Sequence, residues 1–198
     1  MKTGAFAVTL VICMSMHASE LEIHRLDDHV YWGKQPEEGQ FSELADRGTR
    51  TVLDLRGGSL HKPRERKQAE TAGMHYISIR LSGIWAPKNN QIAEILAVLE
   101  NPVLQPVFVH CRRGDDRVGL VIACYRMVHD HWTNEQALAE AKHYGLNPLE
   151  ILMKHYIRNF DPAKLPPVPA DFRSKMLAES AWQAKSEGET QTATPASR

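Results

Sequence analysis

Thirteen residues, Val107 to Gly119, constrain this chain more than any other stretch: V-F-V-H-C-R-R-G-D-D-R-V-G. Val107-Phe108-Val109 is a short apolar run of the kind a buried parallel strand requires. His110, Cys111 and a tight loop with Gly114 follow. The almost wholly apolar segment Val118 to Tyr125 then reads as a buried helix. A strand that turns through a glycine loop into a helix makes an anion site. Its loop amides and first helical amides point inward, and the helix dipole favours negative charge there. An anion site has no need of a cysteine. Here Cys111 stands at its base, where those dipoles and Arg117 favour a thiolate nucleophile.

His110-Cys111, five residues and then Arg117 resembles the signature of the cysteine-dependent protein tyrosine and dual-specificity phosphatases. The resemblance runs from about Leu26 to Phe160, roughly the size of one catalytic domain. It implies that Cys111 attacks phosphorus and forms a cysteinyl-phosphate. It also implies that Arg117 grips two equatorial phosphate oxygens bidentately and stabilises the transition state. The amides of residues 112 to 117 would line the cradle, making His110, Arg112, Arg113, Gly114 and Asp115 substrate-binding candidates. Rhodanese-like sulfurtransferases usually have a shorter loop, suited to sulfur rather than phosphate. The family usually places Ser or Thr after the arginine, where its hydroxyl helps the sulfur leave. Val118 stands there instead. That departure keeps a phosphate-binding pseudophosphatase as the alternative of another class.

A second departure concerns the proton. In many dual-specificity phosphatases the loop after the third strand carries an aspartate that protonates the leaving oxygen. Here Ser82 to Asn90 contains no Asp, Glu or His. An alkoxide still needs a proton to depart. The nearest carboxylates in sequence are Asp115 and Asp116. An aspartate directly before the arginine is a proposed general acid in myotubularin-like and several bacterial cysteine phosphatases. Asp116 matches that place, so the third catalytic candidate is Asp116, with Asp115 second. The competing role for Asp116 is to shape the loop by bonding local amides.

The chain has 198 residues, 42% hydrophobic and 24% charged, enough for one domain with a sizeable core. Formal net charge is zero, which excludes nucleic acid or an anionic membrane as a bulk electrostatic partner. Lys2 followed by the mostly apolar Ala5 to Met16 and then Ala18-Ser19 describes a secretory signal peptide. The run is too short to span a bilayer. Residues 1–19 are therefore expected to leave, and the chain to be periplasmic or secreted in a bacterium. Cys111 and Cys124 would remain, with Cys124 a small buried core residue rather than a disulfide partner. The histidines lack metal-ligand spacing, and the implied mechanism needs no metal and no cofactor.

In chain order, Asp28–Trp32 reads as a strand and Gln35 onward as a helix ending near Gly48. Thr51–Arg56 is a strand broken by Gly57-Gly58, with Asp54 and Arg56 at its carboxyl end. They either border the phosphate loop or form a strand-end ion pair. His61 to Lys67 is basic at its start and reads as a solvated helix face. Met74–Leu81 is a strand and Gln91–Glu100 an amphipathic helix. Thr133 to Gln136 has capping-box spacing, opening a helix through His143. Pro148 starts another, with Leu149, Leu152, Met153 and Tyr156 inward.

Together these give a three-layer α/β fold with a central, mostly parallel sheet of four or five strands, tyrosine phosphatase-like. The domain is expected over residues 20–160, followed by a Pro-rich, polar tail, partly disordered, over 161–198. The function implied is phosphomonoester hydrolysis, with protein phosphotyrosine as the first substrate class. A phosphoinositide, inositol polyphosphate or lipid phosphate is the alternative. The partner is accordingly a phosphorylated protein or a small anionic phosphate ester. No stable membrane insertion is expected once the signal has gone.

Overall fold

The computed structural model describes residues 21–56, 62–176 and 178. The proposed signal peptide, Gly57-Gly58, His61 and most of the polar tail fall outside them. Five strands form one sheet: β1 (Ile23–Arg25), β2 (Val30–Gly33), β3 (Thr51–Asp54), β4 (His75–Ser78) and β5 (Val107–His110). Their spatial order is β1-β2-β5-β3-β4. β1 pairs antiparallel with β2, and every other pairing is parallel. β5 lies in the middle and is buried at all four positions, as its unbroken apolar run demands. β1 is short, half-buried and on the edge, so it carries too little alternation to show in the sequence.

Alternate strand residues point to opposite faces and build two cores. Val30, Leu53, Ile77, Val107 and Val109 join the larger core. It is completed by α3 (Asn89–Leu99), α4 (Asp116–His129), α5 (Asn134–His143) and α6 (Ile151–Asn159). Val52, Tyr76 and Phe108 face the other way, onto α1 (Gln40–Asp46) and α2 (Lys62–Thr71), where Phe41, Leu44 and Ala69 meet them. The result is the three-layer α/β architecture that the sequence implies, with five strands.

Local signals set several boundaries. Thr133 Oγ accepts from the Gln136 amide at 3.3 Å and Gln136 Oε1 accepts from the Thr133 amide at 3.0 Å, a complete capping box at the start of α5. α6 starts at Ile151, three residues later than Pro148 suggests. Asn147 Oδ1 accepts from the Leu149 amide, so residues 147–150 form a turn instead. Leu149 is consequently 82% exposed, and the inner face of α6 is Met153 and Ile157. The segment after Phe160 returns to the domain: residues 170–176 are helical and Met176 is buried in the larger core, with Phe172 packed against it.

Candidate active site

The parallel register puts His110 at the carboxyl end of β5, between Gly33 of β2 and Asp54 of β3. The chain leaves the sheet there, where open α/β sheets place their ligands. Cys111 is 1% exposed, and the Gly114 amide reaches its Sγ at 3.3 Å. The loop thus curls over the sulfur and turns an N–H toward it. Gly114 makes the curl possible with φ +86°. A Cβ there would come within 2.6 Å of the Gly33 carbonyl carbon and 2.7 Å of the Lys34 amide. Gly114→Ala therefore must push the loop off β2, and a loss of at least ~10-fold in turnover is expected, since small misplacements of reacting groups are costly. Phosphatase assays beside a melting curve check this: turnover falls far more than stability.

Asp115 caps α4, its carboxylate accepting from the Asp116 amide at 2.7 Å. Asp116 is the first residue of α4 and is 8% exposed. One of its oxygens accepts from the Asn147 amide at 2.9 Å, and the other from Arg113. Arg113 also donates to Asp115 at 2.8 Å. Arg113, a substrate-binding candidate in the sequence, is thus committed to the two aspartates. Arg117 lies in the first turn of α4, half-buried, and makes no hydrogen bond or ion pair among the described residues. Its fork of donors is free for an anion in the loop. Val118, behind it, is completely buried in the larger core. Cys124 is buried and unbridged, and burial pushes its thiol up, well out of the reactive range.

A buried polar cluster lies next to the loop. Asp54 takes the Arg56 amide and Nε at 2.8 Å each, and the Tyr76 hydroxyl at 2.7 Å. Arg56 reaches on to Glu65 of α2, and Gln35 Nε2 donates to the other Glu65 oxygen at 2.7 Å. Asp54 and Arg56 are therefore a buried strand-end ion pair extended by Glu65. Burial works against the Asp54 charge, but the hydrogen bonds from Arg56 and the Tyr76 hydroxyl offset it and hold the carboxyl below its usual range. Burial pushes Glu65 up, and Arg56 offsets only part of this. His110 is fully buried, its Nδ1 3.3 Å from the Cys111 carbonyl, and burial pushes it down to about 4, so it is neutral. Ligand atoms of Asp54, Glu65 and His110 lie within 4.8 Å of one another, close enough for a metal ion. The guanidinium of Arg56 bonds both carboxylates and already supplies the positive charge there. Arg56→Ala would leave the buried Asp54 carboxylate without its charge partner and strip Glu65 of a donor, and a loss of about 3–5 kcal/mol is expected. Urea unfolding measures it.

Beside the loop opens a cleft of about 440 Å³, lined among others by Lys34, Gln35, Glu37, Arg64, Gln68 and Arg112. Arg64 pairs with Glu38, whereas Lys34 and Arg112 make no ion pair among the described residues. The loop after β4 carries Ser82, whose hydroxyl accepts from the Ile84 and Trp85 amides at 3.1 and 2.9 Å. Trp85 is 69% exposed. Sequence reasoning missed Glu65 and Tyr76, and read Glu65 as part of a solvated face. The available signal was its helical spacing: Glu65 and Ala69 stand four apart, and both are buried. The isolated polar residue on that face is the one that pairs inward.

Strand, cysteine loop, helix and free arginine on a mostly parallel sheet are the construction of the cysteine-dependent phosphatases. Residues 7–159 match the family described as "DSP-PTPase phosphatase fused to NAD+ Kinase", and the chain belongs to that family. It is similar to inositol diphosphatase SIW14 of Saccharomyces cerevisiae, 24% identical over 141 residues, 67% of this chain and 48% of that one. It is also similar to dual specificity protein phosphatase TpbA of Pseudomonas aeruginosa, 42% identical over 59 residues, 27% of this chain and 26% of that one. The chain thus spans half or less of the length of these two relatives. The crystal structure of P. aeruginosa TpbA shares the fold with a TM-score of 0.60 at 22% identity, covering 72% of this chain and 87% of that one. The core catalytic domain of SIW14, solved with citrate, gives 0.59 at 22% identity, covering 67% and 80%.

Proposed function

We propose that the chain hydrolyses phosphomonoesters through a cysteinyl-phosphate. The observation that carries this is the loop itself, with Gly114 N–H on the Cys111 sulfur and an Arg117 guanidinium that has no hydrogen-bond or ion-pair partner among the described residues. In the first step Cys111 Sγ forms a bond to phosphorus, and the bond to the ester oxygen breaks. Arg117 and the loop amides hold the phosphoryl oxygens. Asp116 gives its proton to the leaving oxygen. In the second step water attacks phosphorus, the S–P bond breaks, the thiolate is restored and Asp116 takes the proton from the water. For Asp116 to serve, its contact with Arg113 must open when substrate binds. The test is leaving-group dependence with chelator present. Asp116→Asn should lose on the order of 10²-fold on an alkyl phosphate and far less on an aryl phosphate with a good leaving group. An equal loss on both would remove Asp116 from the proton's path.

A phosphorylated protein is the first substrate class, in keeping with the similarity to a dual specificity protein phosphatase. The cleft supports a second. Lys34 and Arg112 line the cleft, make no ion pair among the described residues and suit a substrate with further anionic groups, and a relative is named an inositol diphosphatase. Comparing a phosphotyrosine peptide with an inositol polyphosphate separates the two, and Lys34→Ala should weaken only the second.

The chain is exported in this reading, and its first 19 residues act as a signal peptide. Lys2, the apolar run to Met16 and Ala18 support it. N-terminal sequencing of the protein from its own cell tests the cleavage. Among the described residues no helix is long and apolar enough to cross a membrane.

A further inference from the structure

His110 Nε2 is completely buried and has no hydrogen-bond partner among the described residues. Its other nitrogen, Nδ1, faces the Cys111 carbonyl at 3.3 Å, which makes Nδ1 the protonated one in the neutral ring and leaves Nε2 a bare lone pair. The group facing that lone pair is Glu65, with Oε2 at 3.9 Å, an oxygen that also accepts from Arg56 and from the Tyr76 hydroxyl at 3.4 Å. Two acceptors do not face each other in a core without a proton between them, because an unpaired buried polar atom costs free energy.

A charge count agrees. Among the described residues, the charged groups around His110 are Asp54 and Arg56 from the end of β3, Glu65 from α2 and Arg117 from α4, with the Tyr76 hydroxyl bonded to both carboxylates. Arg117 is half-buried rather than enclosed, so solvent screens its charge and it stands outside the buried cluster. The remaining cluster holds two carboxylates and one guanidinium, with a neutral imidazole and a neutral phenol. It is one proton short of neutrality, and burial favours the neutral total.

We propose that Glu65 is a positioning residue for Cys111: it shares one proton with His110 Nε2, and so fixes the imidazole whose Nδ1 holds the Cys111 carbonyl. Closing the gap to a hydrogen bond of about 3.0 Å needs a shift of under about 1 Å. Burial disfavours the charged form of both groups, pushing Glu65 up and His110 down, which favours the carboxyl as donor and the ring as acceptor. The role as a positioning residue rests on the cysteine phosphatase reading; the shared proton does not.

The test is the nitrogen shift of His110 in the full chain labelled with ¹⁵N-histidine, with the resonance assigned by its loss in His110→Gln. Wild type and Glu65→Gln should show Nε2 as a hydrogen-bonded acceptor near neutral pH, because the glutamine amide supplies a permanent donor. Glu65→Ala should shift it to a free, pyridine-like nitrogen. Turnover is expected to fall at least tenfold in kcat in Glu65→Ala with KM within threefold, and to return largely in Glu65→Gln. Should Glu65→Ala fail to fold, the wild-type signal alone decides: a free, pyridine-like Nε2 overturns the proposal. So does a signal that is the same in wild type and Glu65→Ala. A shared proton seen in a protein without turnover upholds the Glu65–His110 link and counts against the phosphatase reading instead.

Discussion

Replacing Cys111 by serine is expected to reduce turnover of an aryl phosphate by on the order of 10⁴-fold or more, the scale of removing a covalent nucleophile. The substitution changes little else. Cys111 is 1% exposed, and its sulfur accepts from the Gly114 amide, a contact that a hydroxyl oxygen can also accept. Arg117 and the loop amides are untouched, so the anion site survives. The alcohol is a far weaker acid than the thiol, and the neighbouring His110 is not placed to activate it: the ring is neutral, but its Nδ1 is turned to the carbonyl of residue 111. Activity and binding should therefore separate. Steady-state kinetics should show no turnover, and calorimetry with vanadate or phosphate should show affinity within a few-fold of wild type. Joint loss of both would mean that the sulfur holds the loop together.

The second large effect is at Arg117. Lysine keeps the charge but not the planar pair of donors, and a bidentate grip on two phosphoryl oxygens cannot be made by one ammonium. A fall of on the order of 10³-fold in kcat/KM is expected, with most of it in kcat, because the grip tightens as charge develops in the transition state. Arg117 makes no hydrogen bond or ion pair among the described residues, so stability should change little. Near-full turnover by Arg117→Lys would remove the arginine from the role given to it.

Much of the fold was legible because the strands that carry the site are short apolar runs. Val107 to Val109 reads as a buried strand, and it is, with His110 added to its end. The capping box at Thr133 and the amphipathic α3 were equally readable, since each is a local pattern. What stayed hidden was long-range. β1 is three residues long and gains its place only by pairing with β2. The turn at Asn147 is set by Asp116, 31 residues earlier, whose carboxylate takes the Asn147 amide. Pro148 marked a helix start, but that amide contact and the Asn147 side chain delay it. Glu65 sat in a charged run that looks solvated, and only the fold shows that Arg56 and Gln35 meet it. The core of the site, Cys111 to Arg117, was legible because one continuous stretch of chain makes it. Its surroundings come from β3, α2 and β4, which no spacing within that stretch can specify.

The most direct measurement is rapid acid quench of the purified protein with an aryl phosphate labelled at phosphorus, followed by peptide mapping of the label. The account predicts transient labelling of the peptide containing Cys111, on sulfur, absent from Cys111→Ser and kinetically competent with turnover. Hydrolysis without any labelled protein, or label on another residue, would contradict it.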